Sequence, residues 1–317
     1  MKWGVIATGG IAQTVTADML KVPDVEVIAV SSRDVTRAQA FAERFGIKRA
    51  YGDYRELLRD EEVEVVYVAT PHAQHHEVTL AALEAGKHVL CEKPLGISSA
   101  QVEEMIVKAR TEKRFLMEGM WTRFNPLIRK VAGAVAGGEI GEVRTIRADF
   151  GFRTDFDAGH RLWAKETAGG SVLDLGIYPI ALAHQLLGRP THIAAHGGLA
   201  PSEVDADAGI LLGYENGVHA LLRCSLVADL GSTAEIVGTE GTIEIDRMYN
   251  PTKVIINGVE HETEDRGYRH QIHEVEIWAG QGAVEHSDMP LTATLDIMRT
   301  MEEVLDQLGV DYADIVR

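Results

Sequence analysis

Residues 88–94 read His88-Val89-Leu90-Cys91-Glu92-Lys93-Pro94. An apolar run stops abruptly at an acid, a lysine and a proline. Apolar runs of this length between helical segments read as buried parallel strands. Pro94 biases Lys93 toward extended backbone and ends the strand there. In open α/β sheets, ligands bind in the crevice beyond the carboxyl ends of such strands, where Lys93 would stand. Two readings of Lys93 are open at this point. One is a solvated loop lysine. The other is a proton-transfer group, because partial burial beside other charges lowers a lysine's pKa toward the working pH.

The sequence around this run alternates strands with helices. Residues 3–7, 25–30, 63–69 and 115–117 read as further strands. After the first strand, Ile11, Val15 and Met19 recur every four residues until Pro23-Asp24 breaks the helix. Residues 36–45 form a helix ended by Gly46, and residues 77–85 one ended by Gly86. In residues 99–110, Val102, Met105, Ile106 and Ala109 share one helical face. This alternation predicts a parallel, doubly wound sheet of the Rossmann type.

The turn after the first strand reads Ala7-Thr8-Gly9-Gly10-Ile11-Ala12. A glycine-rich turn running into a helix points backbone N–H groups and the helix dipole at a pyrophosphate. The dinucleotide fingerprint wants three glycines, and here the first and third are alanine. The middle one, Gly9, allows the closest phosphate approach; a tight turn without ligand is the alternative. The second strand ends in Ser31-Ser32-Arg33-Asp34, with Arg37 one turn later. An acid at this place binds the ribose of NAD and repels a 2′-phosphate. Serine removes the repulsion, and two guanidiniums can clamp a phosphate. That favours NADP over NAD, unless Arg33 and Arg37 are only surface residues of the helix. Thr70-Pro71-His72-Ala73-Gln74-His75-His76 follows the third of these strands and lines the same crevice. Its three histidines invite a metal reading. No acid or cysteine completes a ligand set nearby, so no metal is expected.

The pattern changes after Trp121-Thr122-Arg123-Phe124-Asn125-Pro126. Residues 143–152, ending at Phe152, alternate like a half-buried strand. Asn216-Gly217 between apolar runs signals a hairpin, and Glu240-Gly241 and Asn257-Gly258 repeat the device. An α+β second domain follows, with an open, mostly antiparallel sheet. Such a sheet leaves one face to cover. A second copy of the chain would cover it, giving a homodimer or a dimer of dimers through the sheet. One segment stands apart: Gly169-Gly170-Ser171-Val172-Leu173-Asp174, then Tyr178. Ser171 is expected to cap a helix running to about Leu187 before Gly188. Asp174 and Tyr178 share a helix face and form a candidate acid–base pair. Against this, Ser171-x-x-Asp174 resembles a capping box, and Tyr178 could be a core aromatic. Near the end, His270, His273 and Glu274 read as a polar helix start. Leu295, Met298, Leu305 and Leu308 read as an amphipathic helix packing on one of the domains.

Bulk properties bound the partners. The 317 residues suit two domains, 1–121 and 122–317. The net charge of −17 weighs against nucleic acid and anionic membranes as partners. No apolar run is long enough to span a membrane. Cys91 and Cys224 lie in apolar runs and read as reduced thiols of a cytoplasmic protein.

Taken together, the chain resembles the Gfo/Idh/MocA oxidoreductases over nearly its whole length. Glu92-Lys93-Pro94 looks like that family's Glu-Lys-Pro motif, and Gly169-Gly170 through Asp174 and Tyr178 looks like its second signature. Many members carry histidine where Tyr178 stands. Tyrosine there, with Met120-Trp121-Thr122-Arg123-Phe124, is similar to the branch that uses NADP on dihydrodiols or D-xylose. The resemblance implies catalytic roles for Lys93, Tyr178 and Asp174. It implies a cofactor site from Thr8, Gly9, Gly10, Ile11, Ala12, Ser32, Arg33, Arg37, Thr70, Pro71, His72, His75, Glu92, Lys93 and Trp121. Trp121, Phe152 and Trp163 are candidates for packing on a sugar ring or diol face. It also implies a cis Lys93–Pro94 bond, a dimer through the sheet faces, and a sugar, polyol or trans-dihydrodiol substrate. Relatives that act as non-catalytic nucleotide sensors, or as NAD-dependent glycosidases, supply the competing expectations.

Overall fold

The computed structural model describes residues 1–315 and divides into two units. The first comprises Met1–Trp121 and Tyr268–Leu295. Its strands are β1 (Lys2–Ile6), β2 (Glu26–Ser31), β3 (Arg49–Tyr51), β4 (Val65–Val68), β5 (His88–Glu92) and β6 (Leu116–Gly119). They lie in the order β3-β2-β1-β4-β5-β6 and every pair is parallel. Successive residues of β4 are all buried, as a sheet covered on both faces requires. The crossovers are α1 (Gly10–Met19), α2 (Val35–Phe45), α3 (Tyr54–Leu58), α4 (His75–Glu84) and α5 (Ser99–Glu112). Gly46 and Gly86 end α2 and α4 with φ of 69° and 75°, where a side chain would be strained. β3 and α3, three and five residues long, carry no periodicity that a sequence reading could detect.

The order reverses between β1 and β4, so the loops leaving the carboxyl ends of β1, β2, β4, β5 and β6 gather along one edge. Those loops begin at Ala7, Ser32, Ala69, Lys93 and Met120.

The second unit comprises Thr122–Gly267 and the described residues from Asp296 onward. It contains α6 (Pro126–Ala136), β7 (Val143–Gly151), α7 (Ile177–Leu187), β8 (His192–Leu199), β9 (Asp205–Gly213), β10 (His219–Ser225), β11 (Ala234–Gly238), β12 (Thr242–Ile245), β13 (Lys253–Ile256) and β14 (Val259–Glu262). The sheet order is β14-β13-β12-β11-β7-β10-β9-β8. Only β7 and β10 run parallel; the other pairs are antiparallel. The Asn-Gly hairpins are present, with Asn216 and Gly217 at φ 64° and 77°, and Asn257 and Gly258 at 50° and 77°. One face of β9 and β10 is core, with Ile210, Leu212, Ala220 and Leu222 buried.

Residues 268–295 return to the first unit, where a continuous second domain was expected from residue 122 onward. The tie is polar and specific. Tyr268 N–H donates to Asp18 Oδ2 at 2.9 Å. Glu276, on α8 (Arg269–Gly280), accepts from the Trp3 indole at 2.5 Å and from the terminal amine at 2.7 Å. The last helix among the described residues is α9 (Leu291–Leu308). Among the described residues, no helix is long and apolar enough to cross a membrane.

Candidate active site

Five loops of the first unit carry the residues singled out in the sequence. After β1, Ala7 takes φ 89°, a conformation better suited to the glycine that the fingerprint has at this place. Gly9 precedes α1 in extended conformation and no side chain caps the helix, so its first N–H groups are left for another acceptor. A Cβ at Gly9 or at Gly10 would meet nothing within 4 Å. Packing therefore does not demand glycine at either place. What their lack of side chains keeps clear is the approach to the helix start, as a pyrophosphate cradle requires. Ala12 is fully buried and fills the close helix–sheet contact of the third fingerprint position.

After β2, Asp34 caps α2, accepting from Thr36 N–H at 2.9 Å. Arg33 and Arg37 are exposed, and neither has an ion-pair partner among the described residues. After β4, the three histidines have separate engagements. His72 is buried edge-on to His75, with ring centres 5.8 Å apart. His75 is fully buried, its Nδ1 2.7 Å from the Pro94 carbonyl oxygen and its Nε2 2.8 Å from that of Thr70. His76 meets Glu104 at 2.8 Å. Among the described residues no group of three His, Cys, Asp or Glu could hold a metal ion.

At the end of β5, Glu92 is buried and accepts from the Tyr67 hydroxyl at 2.6 Å. Burial, then the Glu92 charge, pushes the Tyr67 phenol well above its ordinary pKa, so it stays a donor. Lys93 is half-buried and its bond to Pro94 is cis. Leu95 N–H donates to Glu118 Oε1 at 2.9 Å. After β6, Trp121 is buried against Tyr268, with ring centres 4.3 Å apart.

The second unit holds the other signature. A Cβ on Gly169 would come within 2.6 Å of the Leu162 carbonyl oxygen, and one on Gly170 would run into the Asp205 carboxylate. Gly170 also takes φ 107°. Ser171 does not cap the helix. Its hydroxyl donates to Asp205 Oδ2 at 2.6 Å, and the Val172 N–H donates to the same oxygen at 2.6 Å. The start of the helix is thus capped by a residue of β9, which no local pattern signals. Residues Val172–Gly176 make one π turn before α7, so the helix expected from Ser171 begins differently. Such turns recur at functional sites.

Asp174 lies in that turn, buried, and takes a hydrogen bond from Arg161 Nη1 at 3.1 Å. Tyr178 is half-buried and edge-on to Phe150 and Tyr249, at 5.3 and 6.3 Å between ring centres. Phe150 and Tyr249 stack at 4.9 Å. Sequence reading missed Phe150 and Tyr249 around Tyr178, and Asp205. Phe152 is 38% exposed. Trp163 is 1% exposed, edge-on to Phe156, and its indole donates to the Asp155 carbonyl at 2.9 Å.

Residues 1–120 match a family model described as an oxidoreductase family with an NAD-binding Rossmann fold, and residues 128–244 match the GFO/IDH/MocA C-terminal domain. The chain is 41% identical over 264 residues to trans-1,2-dihydrobenzene-1,2-diol dehydrogenase of Mus musculus, covering 81% of this chain and 78% of that one. It is 37% identical over 328 residues to the enzyme of the same name from Xenopus laevis, covering 98% and 99%. A crystal structure of a 3-ketoreductase from Actinomadura kijaniata with NADP and TDP-benzene superimposes with a TM-score of 0.84, at 27% identity over 97% of this chain and 98% of that one. An aldose-aldose oxidoreductase from Caulobacter crescentus shares the fold, with a TM-score of 0.88 at 23% identity over 98% of this chain and 97% of that one.

Proposed function

We propose a specific activity for a chain that belongs to the Gfo/Idh/MocA oxidoreductase family: it exchanges hydride between NADP and the carbinol carbon of a trans-dihydrodiol, sugar or polyol. The observation that carries the proposal is Lys93, half-buried at the carboxyl end of β5, in the same row of loops as Gly9 and Gly10.

The nicotinamide, when bound, supplies the acceptor or donor of hydride. The residues of this chain handle the proton. In the oxidative direction Lys93 or Tyr178 takes the hydroxyl proton of the substrate. Asp174, held by Arg161, orients the substrate hydroxyl by hydrogen bonding. The glycine loop, with Thr8, Ile11 and Ala12, receives the pyrophosphate. Ser32, Arg33 and Arg37 favour a 2′-phosphate, which supports NADP over NAD. Thr70, Pro71, His72, His75, Glu92 and Trp121 shape the nicotinamide end. Trp121, Phe152 and Trp163 are the aromatic candidates for packing on the substrate ring.

Homodimerisation through the outer face of the second sheet completes the reading. Leu211 and Leu221 face each other across β9 and β10 and are 42% and 48% exposed. A double Leu211→Glu/Leu221→Glu variant is expected to sediment as a monomer; an unchanged species would sink the dimer face. A cytoplasmic location fits Cys91 and Cys224, both free and buried, and cell fractionation tests it.

The test of the activity is a screen of NADPH formation over trans-dihydrodiols, pentoses, hexoses and inositols, with dicarbonyls in the reverse direction. Turnover with at least one class is expected. NADP binding without turnover across the panel would favour a nucleotide sensor instead. Release of an aglycone from glycosides without net NADPH would favour a glycosidase.

A further inference from the structure

Lys93 is held on both sides along the chain. Before it, Glu92 pairs with Gly119 in the β5–β6 ladder and accepts from Tyr67. After it, the holding group is a single peptide unit. The carbonyl of Pro94 and the N–H of Leu95 belong to one peptide bond and point in opposite directions. The carbonyl faces His75 Nδ1 at 2.7 Å. The N–H faces Glu118 Oε1 at 2.9 Å. His75 is 0% exposed and Glu118 is 1% exposed. The proline ring fixes its own φ. With the following peptide plane held at both ends, little freedom remains between that plane and the Cα of Lys93.

We propose that His75 and Glu118 are positioning residues that clamp the Pro94–Leu95 peptide from its two ends and so aim the Lys93 side chain. The proposal rests on the reading of Lys93 as a proton-transfer group.

The chemistry at His75 makes the proposal specific. Both of its partners are carbonyl oxygens, which only accept. Burial, with the Lys93 charge as a smaller influence, pushes the imidazole below its ordinary pKa, although both carbonyls pull the other way. A neutral ring has one N–H and can serve one of the two carbonyls. A carboxylate accepting from the Leu95 N–H polarises that peptide and makes its carbonyl the stronger acceptor. The ring hydrogen therefore belongs on Nδ1, toward Pro94, with the Thr70 contact secondary.

Asparagine and glutamine separate the two contacts, because the asparagine amide nitrogen stands where Nδ1 is and that of glutamine where Nε2 is. In the full-length protein, the kcat of His75→Asn is expected to exceed that of His75→Gln by about 30-fold or more. His75→Gln is expected to lose about 100-fold in kcat relative to the parent, the scale of a 1 Å misplacement. Glu118→Gln keeps an acceptor for Leu95 and is expected to rescue what Glu118→Ala loses. Equal activities for His75→Asn and His75→Gln, or a better His75→Gln, would overturn the clamp. A readout independent of catalysis is the Leu95 amide resonance in protein carrying ¹⁵N-leucine. It should lie downfield in the parent, in His75→Asn and in Glu118→Gln, and move upfield in His75→Gln and Glu118→Ala. A Leu95 amide indifferent to these changes would contradict the clamp. If Lys93→Met keeps its turnover while the amide shifts behave as stated, the proton-transfer reading of Lys93 fails and the clamp stands as geometry alone.

Discussion

The segment at Lys93 and the segment at Tyr178 are built by different means. Glu92-Lys93-Pro94 stands at the end of β5, a strand with a parallel neighbour on each side, held by residues of those neighbours. The Gly169–Tyr178 segment leaves a loop, makes a π turn and is capped by Asp205, a side chain 34 residues from Ser171. The first arrangement follows from strand order. The second depends on one buried carboxylate and on two glycines that let the backbone reach it. The same residue type therefore serves opposite ends in the two regions. Gly9 leaves the start of α1 uncovered by any side chain, whereas Gly170 makes room for the protein's own Asp205.

The largest expected effect breaks that contrast most directly. Gly170→Ala should lower unfolding free energy by at least about 3 kcal/mol, because it adds a Cβ against a buried carboxylate at a strained φ. Gly9→Ala should cost less than about 1 kcal/mol in stability and yet weaken NADP binding. Urea unfolding and NADPH fluorescence titration check the pair. Similar stability losses at both positions would erase the distinction.

Acid sensitivity should come next, and from the second region. His184 of α7 is buried, with Nε2 2.9 Å from the Thr300 hydroxyl oxygen. Burial, then the charges of Arg123 and Arg189, lowers its pKa from 6.5 to about 4. Above pH 6.5 the ring is neutral folded or unfolded, and stability is full. As pH falls toward 4 the unfolded chain binds a proton that the folded one does not. The loss approaches about 3 kcal/mol near pH 4 and then levels off. Thermal unfolding of the parent and His184→Gln across this window should converge as pH drops, since glutamine does not titrate. Parallel curves would contradict the assignment.

The smallest effect concerns the first region. Arg33→Ala and Arg37→Ala should each shift the NADP-to-NAD ratio of kcat/KM toward NAD by on the order of 10-fold, less at high salt. An unchanged preference would remove the phosphate clamp.

What the sequence disclosed follows the same division. The parallel strands, the helix ends at Gly46 and Gly86 and the Asn-Gly hairpins were legible because each depends on neighbours in sequence. The motif residues Lys93, Asp174 and Tyr178 could be named from their spacing and the family resemblance. Their surroundings could not. Asp205 at the helix start, Phe150 and Tyr249 around Tyr178, and Glu118 below Leu95 come together only through strand pairing and loop closure. Ser171-x-x-Asp174 misled because a capping box and a serine bound to a distant carboxylate look alike in one dimension. The return of Tyr268 to the first unit has no local signal either, since Asp18 and Trp121, which meet it there, lie far away in the sequence.

The most direct measurement is NADPH formation by Lys93→Met, at saturating NADP and with a substrate found in the screen, beside the cofactor affinity of the same protein. Affinity within about threefold of the parent, with kcat lowered about 1,000-fold or more, is the expected result for a lost proton-transfer group. Full turnover by a folded, NADP-binding Lys93→Met protein would contradict it.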